Sequence, residues 1–393
     1  MQAYDVVVVG AGIQGAAVAQ AVAARGWSVL VLEQYDQVAR GTSSRSSKLI
    51  HGGLRYLETG QFSLVRQCLN ERQLLLRNAP ELVKMRAFYI PIYKSTRRRP
   101  WQIHIGLSLY ALLGGFGKPC RYVRVPRQQW GELDGLDHDG LQAVFKYHDA
   151  QTDDAALTAA VVGTSQSLGA ALSLSSRLVG AELQRDAVAI TYQRNGESVS
   201  CRAKVLINAA GPWVNRVLAC VQPAVDPTPI ELIQGTHIVL PQPTRRGIYY
   251  LEAPSDGRAV FVMPWRDQTL IGTTETRFEG NPAKVAPQEE EVRYLLKTYS
   301  HYFQTTRFGI QDVVEAFAGL RVLPAGSGPA FWRAREMCLH TDRDQRPRVV
   351  SIYGGKLTAY RAMAQRVARR IAPSLPPAPK PHADTRQLRL LPV

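Results

Sequence analysis

The sequence predicts an α/β protein. Its core is a Rossmann-like nucleotide-binding domain, discontinuous in the chain, with a mixed or antiparallel β-sheet domain inserted into it. Three observations carry the prediction. The chain opens with strand, glycine-rich turn, helix and strand, and a second strand–glycine–helix passage recurs near residues 349–371. The βα alternation breaks off at a polar stretch, residues 42–58. The strands within 233–275 follow one another without intervening helices, which excludes βαβ spacing there.

Residues 4–9 are apolar and rich in valine, as a buried parallel strand requires. Gly10-Ala11-Gly12-Ile13-Gln14-Gly15 follows, then an alanine-rich helix to Arg25, a stop at Gly26 and a second apolar strand ending at Glu33. This is a complete G-x-G-x-x-G unit. Gly10 permits the tight turn, Gly12 lets backbone approach a pyrophosphate, and Gly15 lets helix and strand pack. The helix N-terminus supplies N–H groups and positive dipole to phosphates. Glu33 can accept ribose hydroxyls, and an acid there argues against a 2′-phosphate. FAD and NAD both satisfy this pattern.

Residues 42–58 run Thr-Ser-Ser-Arg-Ser-Ser-Lys-Leu-Ile-His-Gly-Gly-Leu-Arg-Tyr-Leu-Glu. The stretch has no clean period. It reads as backbone wrapped around something polar, with a glycine pair admitting close approach. A nicotinamide enzyme would continue with βα units; the departure favours FAD, which lies extended and needs more backbone to cover it. A helix over 63–78 ends at Pro80. Residues 86–93 form a strand, with Pro91 suggesting an edge. Arg97-Arg98-Arg99-Pro100-Trp101, followed by an apolar helix over 103–113, resembles an interfacial membrane anchor, or else a basic loop beside a core helix.

Asp153 and Asp154 are expected to cap the helix 155–168 rather than act as acids. The strand 205–213 ends in Asn208-Ala209-Ala210-Gly211-Pro212-Trp213, small residues that let backbone approach a cofactor. His237 lies in a strand. Arg321 lies in a strand returning to the core, where an arginine needs a partner. Gly354-Gly355-Lys356-Leu357-Thr358 forms the second strand-to-helix turn. Residues 373–393, with five prolines by 381, read as an extended linker or loose terminus.

The chain has 393 residues, enough for one large or two intertwined domains. Net charge is +16, from 48 basic less 32 acidic residues, which suits an anionic partner. Only ten of the basic residues are lysine, so arginine-rich codon usage is the competing explanation. No nucleic-acid motif occurs, and no nucleic-acid partner is expected. Five cysteines, Cys68, Cys120, Cys201, Cys220 and Cys338, show neither metal nor disulfide spacing, and no metal site is expected. There is no basic n-region before the first strand and no spanning run, which points to the cytosol.

These motifs together resemble the FAD-dependent glycerol-3-phosphate dehydrogenases of the aerobic, membrane-associated type, from about residue 4 to 368. The specific strings are K-L-I-H-G-G-L-R-Y-L-E and G-G-K-L-T-A-Y-R, supported by N-A-A-G-P-W-V, Q-G-T-H-I-V, F-V-M-P-W, I-G-T-T-E and A-G-L-R-V-L. The resemblance implies a flavoprotein on the cytoplasmic membrane face that oxidises glycerol 3-phosphate, passes electrons to quinone or another acceptor, and forms a homodimer. It implies substrate contacts from Arg55, Tyr56, Thr274, Arg321, Arg335 and Lys356, and places His51 and His237 near the flavin. It implies cofactor contacts from Gly10, Gly12, Ile13, Gln14, Gly15, Glu33 and Gln34. Further contacts are expected from Thr42, Ser43, Ser44, Ser47, Lys48, Leu49, Ile50, Gly52 and Gly53. Val179, Ala209, Ala210, Gly211, Trp213, Gly354, Gly355, Lys356, Leu357 and Thr358 complete the set. The sequence departs in having Val322 where the family has proline, and in stopping where a helical C-terminal domain usually begins.

The implied domains are 1–85, 145–225 and 312–372 for FAD, and 86–144 and 226–311 for substrate, with membrane contact over 97–117. In the implied reaction a neutral histidine takes the hydroxyl proton, His237 before His51, while Arg55, Arg321 and Lys356 hold the phosphate. Two alternatives stand beside it: an amine or amino-acid oxidase of the same superfamily, and a non-catalytic FAD-binding paralogue.

Overall fold

A computed structural model describes residues 2–115, 120–303, 307–326, 337–378 and 380–392. Five parallel strands build the first sheet, in the order Ala171–Ser173, Val29–Leu32, Gln2–Val9, Glu197–Asn208, Val349–Tyr353, with Cys338–Thr341 antiparallel at the edge. The opening valines alternate between faces. Val6 and Val8 pack with the helices Ile13–Ala23, Asp154–Ser167 and Tyr360–Ile371; Val7 and Val9 pack with Leu178 and Ile190 of the hairpin Ser176–Leu183/Val188–Arg194. Burial on both faces is why this strand reads as an unbroken apolar run. Each such side chain contributes about 1.5–3 kcal/mol.

The second sheet is mixed. The strand Ile230–Leu240 lies near one end, flanked by Glu315–Pro324 on one side and by Gln268–Gly272 and Thr276–Phe278 on the other. The sheet continues through Ala259–Trp265, Ile248–Glu252, Val83–Tyr93 and Leu141–Thr152 to Leu49–Ile50. Only the Ile248–Glu252/Val83–Tyr93 pairing along this path is parallel, through Phe88 and Tyr89. The helix Glu289–Tyr302 covers one face; Phe62–Asn78 and Pro100–Leu113 cover part of the other.

Several expectations change. Hydrogen bonding puts Leu49–Ile50, all of Leu141–Thr152 and Glu315–Pro324 in the second sheet, although the spans 1–85, 145–225 and 312–372 expected for the first domain include 49–50, 145–152 and 315–324. Pro91 is not on an edge strand; it lies just past the short parallel pairing, where no donor is needed on that side. The strand expected over 205–213 begins earlier, at Glu197, and ends at Asn208, pairing with the hairpin early and with Val349–Tyr353 late. The C-terminal residues are extended but not loose. His382 and Ala383 amides donate to the Ala24 carbonyl, Leu390 donates to Asn78, and Thr385 is buried against Gln365.

Candidate functional site

The C-terminal ends of the parallel strands converge on one cavity of about 370 Å³, the position where open α/β sheets bind ligands. Gly10 (φ +102°) turns the chain there, and a Cβ on it would lie 2.7 Å from the Ala209 carbonyl oxygen. A Cβ on Gly15 would lie 1.9 Å from Gly10 O, so Gly15 serves helix–strand packing and does not line the cavity. Gly12 caps the helix; Ser43 Oγ accepts from Ile13 N at 2.9 Å and ties the polar stretch to that helix start. Glu33 closes the second strand, its carboxylate accepting from Ala11 N (2.7 Å) and Tyr35 N (3.1 Å). Burial raises its pKa, and those amides oppose the rise.

The stretch 42–58 bridges the two sheets. Thr42 Oγ1 donates to Leu320 O at 2.8 Å, and a Cβ on Gly319 would lie 2.7 Å from Arg45 O. Lys48, expected at the cofactor, is buried and lines neither this cavity nor the smaller one adjoining it. Its ammonium donates to Asp154 Oδ1 (2.5 Å) and Ser44 O (2.6 Å), over the rings of Trp265 and Phe317. Ser46 donates twice to the other Asp154 oxygen. Asp153 is the helix cap, as expected, accepting from Ala155 N and Ala156 N, whereas Asp154 is the anchor of this stretch.

A second, smaller cavity of about 120 Å³ adjoins the first. Ser47, Leu49, His51, Tyr56 and Arg321 line both, so these residues mark the seam. Arg321 comes from the strand register opposite Ile233, with Nη1 3.6 Å from Glu275. Arg55 lines the smaller cavity with its guanidinium 5.5 Å from the Tyr56 ring centre; the Lys356 ammonium lies 3.3 Å from that same ring. His237 lies opposite Phe317 and Gly272 in the sheet. Its ring stacks on Phe317 and its Nε2 is 2.9 Å from Ser47 Oγ. Burial, then Arg321 and Lys48, hold its pKa well below the usual imidazole range.

Of the residues expected to contact the cofactor, Ile13, Gln14, Gln34, Thr42, Ser43, Ala209, Ala210, Gly211, Trp213, Gly354, Gly355, Lys356, Leu357 and Thr358 line the first cavity. Ser44, Ile50, Gly52 and Val179 do not line it, and Gly53 lines only the smaller one. Val179 falls at a register irregularity and is exposed, while Ser176, Arg177 and Leu178 reach the cavity instead. Thr274 is turned inward. Its hydroxyl donates to buried Glu291 (2.7 Å) and accepts from Thr236 N (2.8 Å), leaving Thr273 at the cavity. Arg335 lies outside the described residues. Sequence reasoning missed Arg40, Arg45, Tyr250, Arg258, Phe261 and Glu275. Glu275, Phe261 and Arg45 stand inside I-G-T-T-E, F-V-M-P-W and the stretch 42–58 and could have been found there; Arg40, Tyr250 and Arg258 lie in no motif.

The residues fit an extended dinucleotide. Gly12 and Gly355 leave backbone open where a Cβ would meet Ser43 Oγ (3.0 Å) and the Gln14 amide (2.6 Å). Gln14 Oε1 is buried with no hydrogen-bond partner. Glu33 lines the same cavity at the end of the second strand.

The FAD dependent oxidoreductase family model matches residues 5–369. A glycerol-3-phosphate dehydrogenase of Pseudomonas aeruginosa is 37% identical over 379 residues, covering 95% of this chain and 72% of that protein. A D-erythritol 1-phosphate dehydrogenase of Brucella abortus is 35% identical, covering 93% and 73%. The solved glycerol-3-phosphate dehydrogenase of Bacillus halodurans, complexed with FAD, superposes with a TM-score of 0.76 at 27% identity, covering 99% of this chain and 68% of that one. With the glycine turn, Glu33 and the second glycine pair all converging on one cavity, these likenesses settle the kinship: the chain belongs to the FAD-dependent oxidoreductase family, in the branch that holds the glycerol-3-phosphate dehydrogenases.

Proposed function

We propose that this protein oxidises glycerol 3-phosphate to dihydroxyacetone phosphate at the seam of the two cavities. The observation that carries the reading is the convergence of His51, Tyr56, Arg321 and Lys356 from three separate segments, with Arg55 beside them. Bound FAD supplies the hydride acceptor. The chain's residues do the rest. Arg55, Arg321 and Lys356 hold the phosphate dianion, the arginines by paired N–H donors. His51 takes the hydroxyl proton: it lines both cavities, whereas His237 lines only the larger and reaches the seam through Ser47. Glu275 orients Arg321.

Anaerobic addition of glycerol 3-phosphate to the holoenzyme should bleach the flavin absorbance. Bleaching by D-erythritol 1-phosphate alone would move the substrate to a longer polyol phosphate. Bleaching by glycine or sarcosine but by neither phosphate would make it an amine oxidase. No bleaching by any of them would leave a non-catalytic binder.

We also propose quinone as the acceptor, with the protein resting on the cytoplasmic membrane face. No helix among the described residues is long and apolar enough to cross a membrane. The helix Pro100–Leu113 buries Ile103, Leu107 and Tyr110 but leaves Trp101 62%, Ile105 57% and Leu112 54% exposed, beside Arg97 and Arg99. An apolar face with basic flanks suits an anionic interface. Co-sedimentation with anionic vesicles, weakened by Trp101→Glu, supports this; equal sedimentation of both proteins, or none, sinks it.

A further inference from the structure

The Gly52–Gly53 turn carries His51 on one side and Arg55 and Tyr56 on the other. It is held from behind by a buried polar cluster that lines neither cavity. Gly52 N donates to Tyr110 Oη at 2.8 Å, and Tyr110 Oη donates to Asp149 Oδ2 at 2.6 Å. The Arg72 guanidinium donates to Asp149 Oδ1 and to the His148 carbonyl (3.1 Å). Tyr110, Asp149 and Arg72 are all buried. They come from three different elements: the helix Pro100–Leu113, the strand Leu141–Thr152 and the helix Phe62–Asn78.

There is no slack between turn and tyrosine. A Cβ on Gly52 would lie 2.6 Å from Tyr110 Oη and 2.9 Å from a Leu69 methyl. Gly53 takes φ +80°, and a Cβ on it would lie 2.3 Å from the Tyr56 ring. The turn's conformation therefore fixes where that ring stands. A buried ion pair contributes little to stability compared with apolar packing of the same volume. Its better-attested use is to specify one geometry, and here the geometry specified is that of a backbone amide beside the substrate pocket.

We infer that Tyr110 is a positioning residue for the substrate pocket: its hydroxyl, fixed by Asp149 and Arg72, holds the Gly52–Gly53 turn and so places Arg55 and Tyr56. This rests on the reading that those two residues meet the phosphate.

Tyr110→Phe keeps the ring and removes the hydroxyl. On the holoenzyme, four quantities are read: flavin content, thermal midpoint, KM and kcat for glycerol 3-phosphate, and the Kd of inorganic phosphate from its perturbation of the flavin spectrum. The expected result is a rise in KM and phosphate Kd by the same factor, about fivefold or more, with flavin content kept and kcat within about twofold. A lowered midpoint with unchanged KM and unchanged phosphate Kd would make the tyrosine merely structural and overturn the inference. Should Tyr110→Phe not fold, Gly52→Ala crowds the same contact from the turn side and carries the same expectation; wild-type constants there overturn it too. If wild-type holoenzyme is not reduced by glycerol 3-phosphate, the substrate reading fails, and the comparison of phosphate Kd values still judges Tyr110.

Discussion

Ser47 Oγ lies 2.9 Å from His237 Nε2, joining the polar stretch that wraps the cofactor cavity to the strand Ile230–Leu240 of the second sheet. His237 is fully enclosed, and its Nδ1 has no hydrogen-bond partner. Burial first, then the positive charges of Arg321 and Lys48, disfavour its protonation. Its folded pKa is thus below the value of 6.5 that an unperturbed histidine has. Below that pH the unfolded chain binds more protons than the folded one, so stability falls as pH falls. The thermal midpoint should therefore decline below about pH 6.5, and decline less in His237→Asn. Equal declines in both proteins would remove His237 as the cause.

The two histidines should separate in kinetics. A positioned general base contributes about 10²–10⁴-fold. His51→Asn should lower kcat by about a hundredfold or more with flavin retained. His237→Asn should cost less, since its ring lines only the cofactor cavity and meets the seam through Ser47. The opposite ranking in stopped-flow flavin reduction would return the base to His237.

Arg321→Ala removes a guanidinium at the seam and leaves Glu275, a carboxylate beside the smaller cavity, without that partner. Both effects oppose a phosphate dianion. Hydrogen bonds to charged groups contribute about 1.5–3 kcal/mol, so KM should rise about tenfold or more while FAD stays bound. A Lys replacement restores charge but not the paired donors, and should recover only part of the loss. Unchanged kinetics in Arg321→Ala would reject the assignment.

Much of this site was legible in the residues because each signal was local. Gly10, Gly12, Gly15 and Glu33 sit within one βαβ unit, where spacing alone fixes their roles. Arg321 was legible as an arginine in a strand returning to the core, where it needs a partner, and it is half-buried there. What was not legible depends on pairing between distant strands. Glu315–Pro324 lies along Ile230–Leu240, and only that register sets Arg321 near Glu275 and His237 opposite Phe317. Thr274 illustrates the same point. Its motif suggested a pocket residue, but Glu291, on a helix beginning fifteen residues later, takes its hydroxyl. Val179 sits at a register irregularity, which changes which side chain faces inward and leaves no mark in composition.

The Lys48–Asp154 pair decides whether the stretch 42–58 is a loop or a fixed wall. Both side chains are buried, and Ser46 supplies Asp154 with two more hydrogen bonds. Burial alone raises the Asp154 pKa; Lys48 and Ser46 pull it back toward the charged form. Removing one partner of such a pair strands a buried charge and costs about 3–5 kcal/mol, while replacing both by apolar groups of similar size is often neutral. Lys48→Met should therefore lower the thermal midpoint and weaken FAD retention, because Ser43 and Thr42 are carried by the same wall. Lys48→Met combined with Asp154→Leu should recover most of the midpoint. It should recover less of the FAD retention, since Ser46 then loses its acceptor. A double variant no more stable than Lys48→Met would show that the pair stabilises by more than mutual neutralisation.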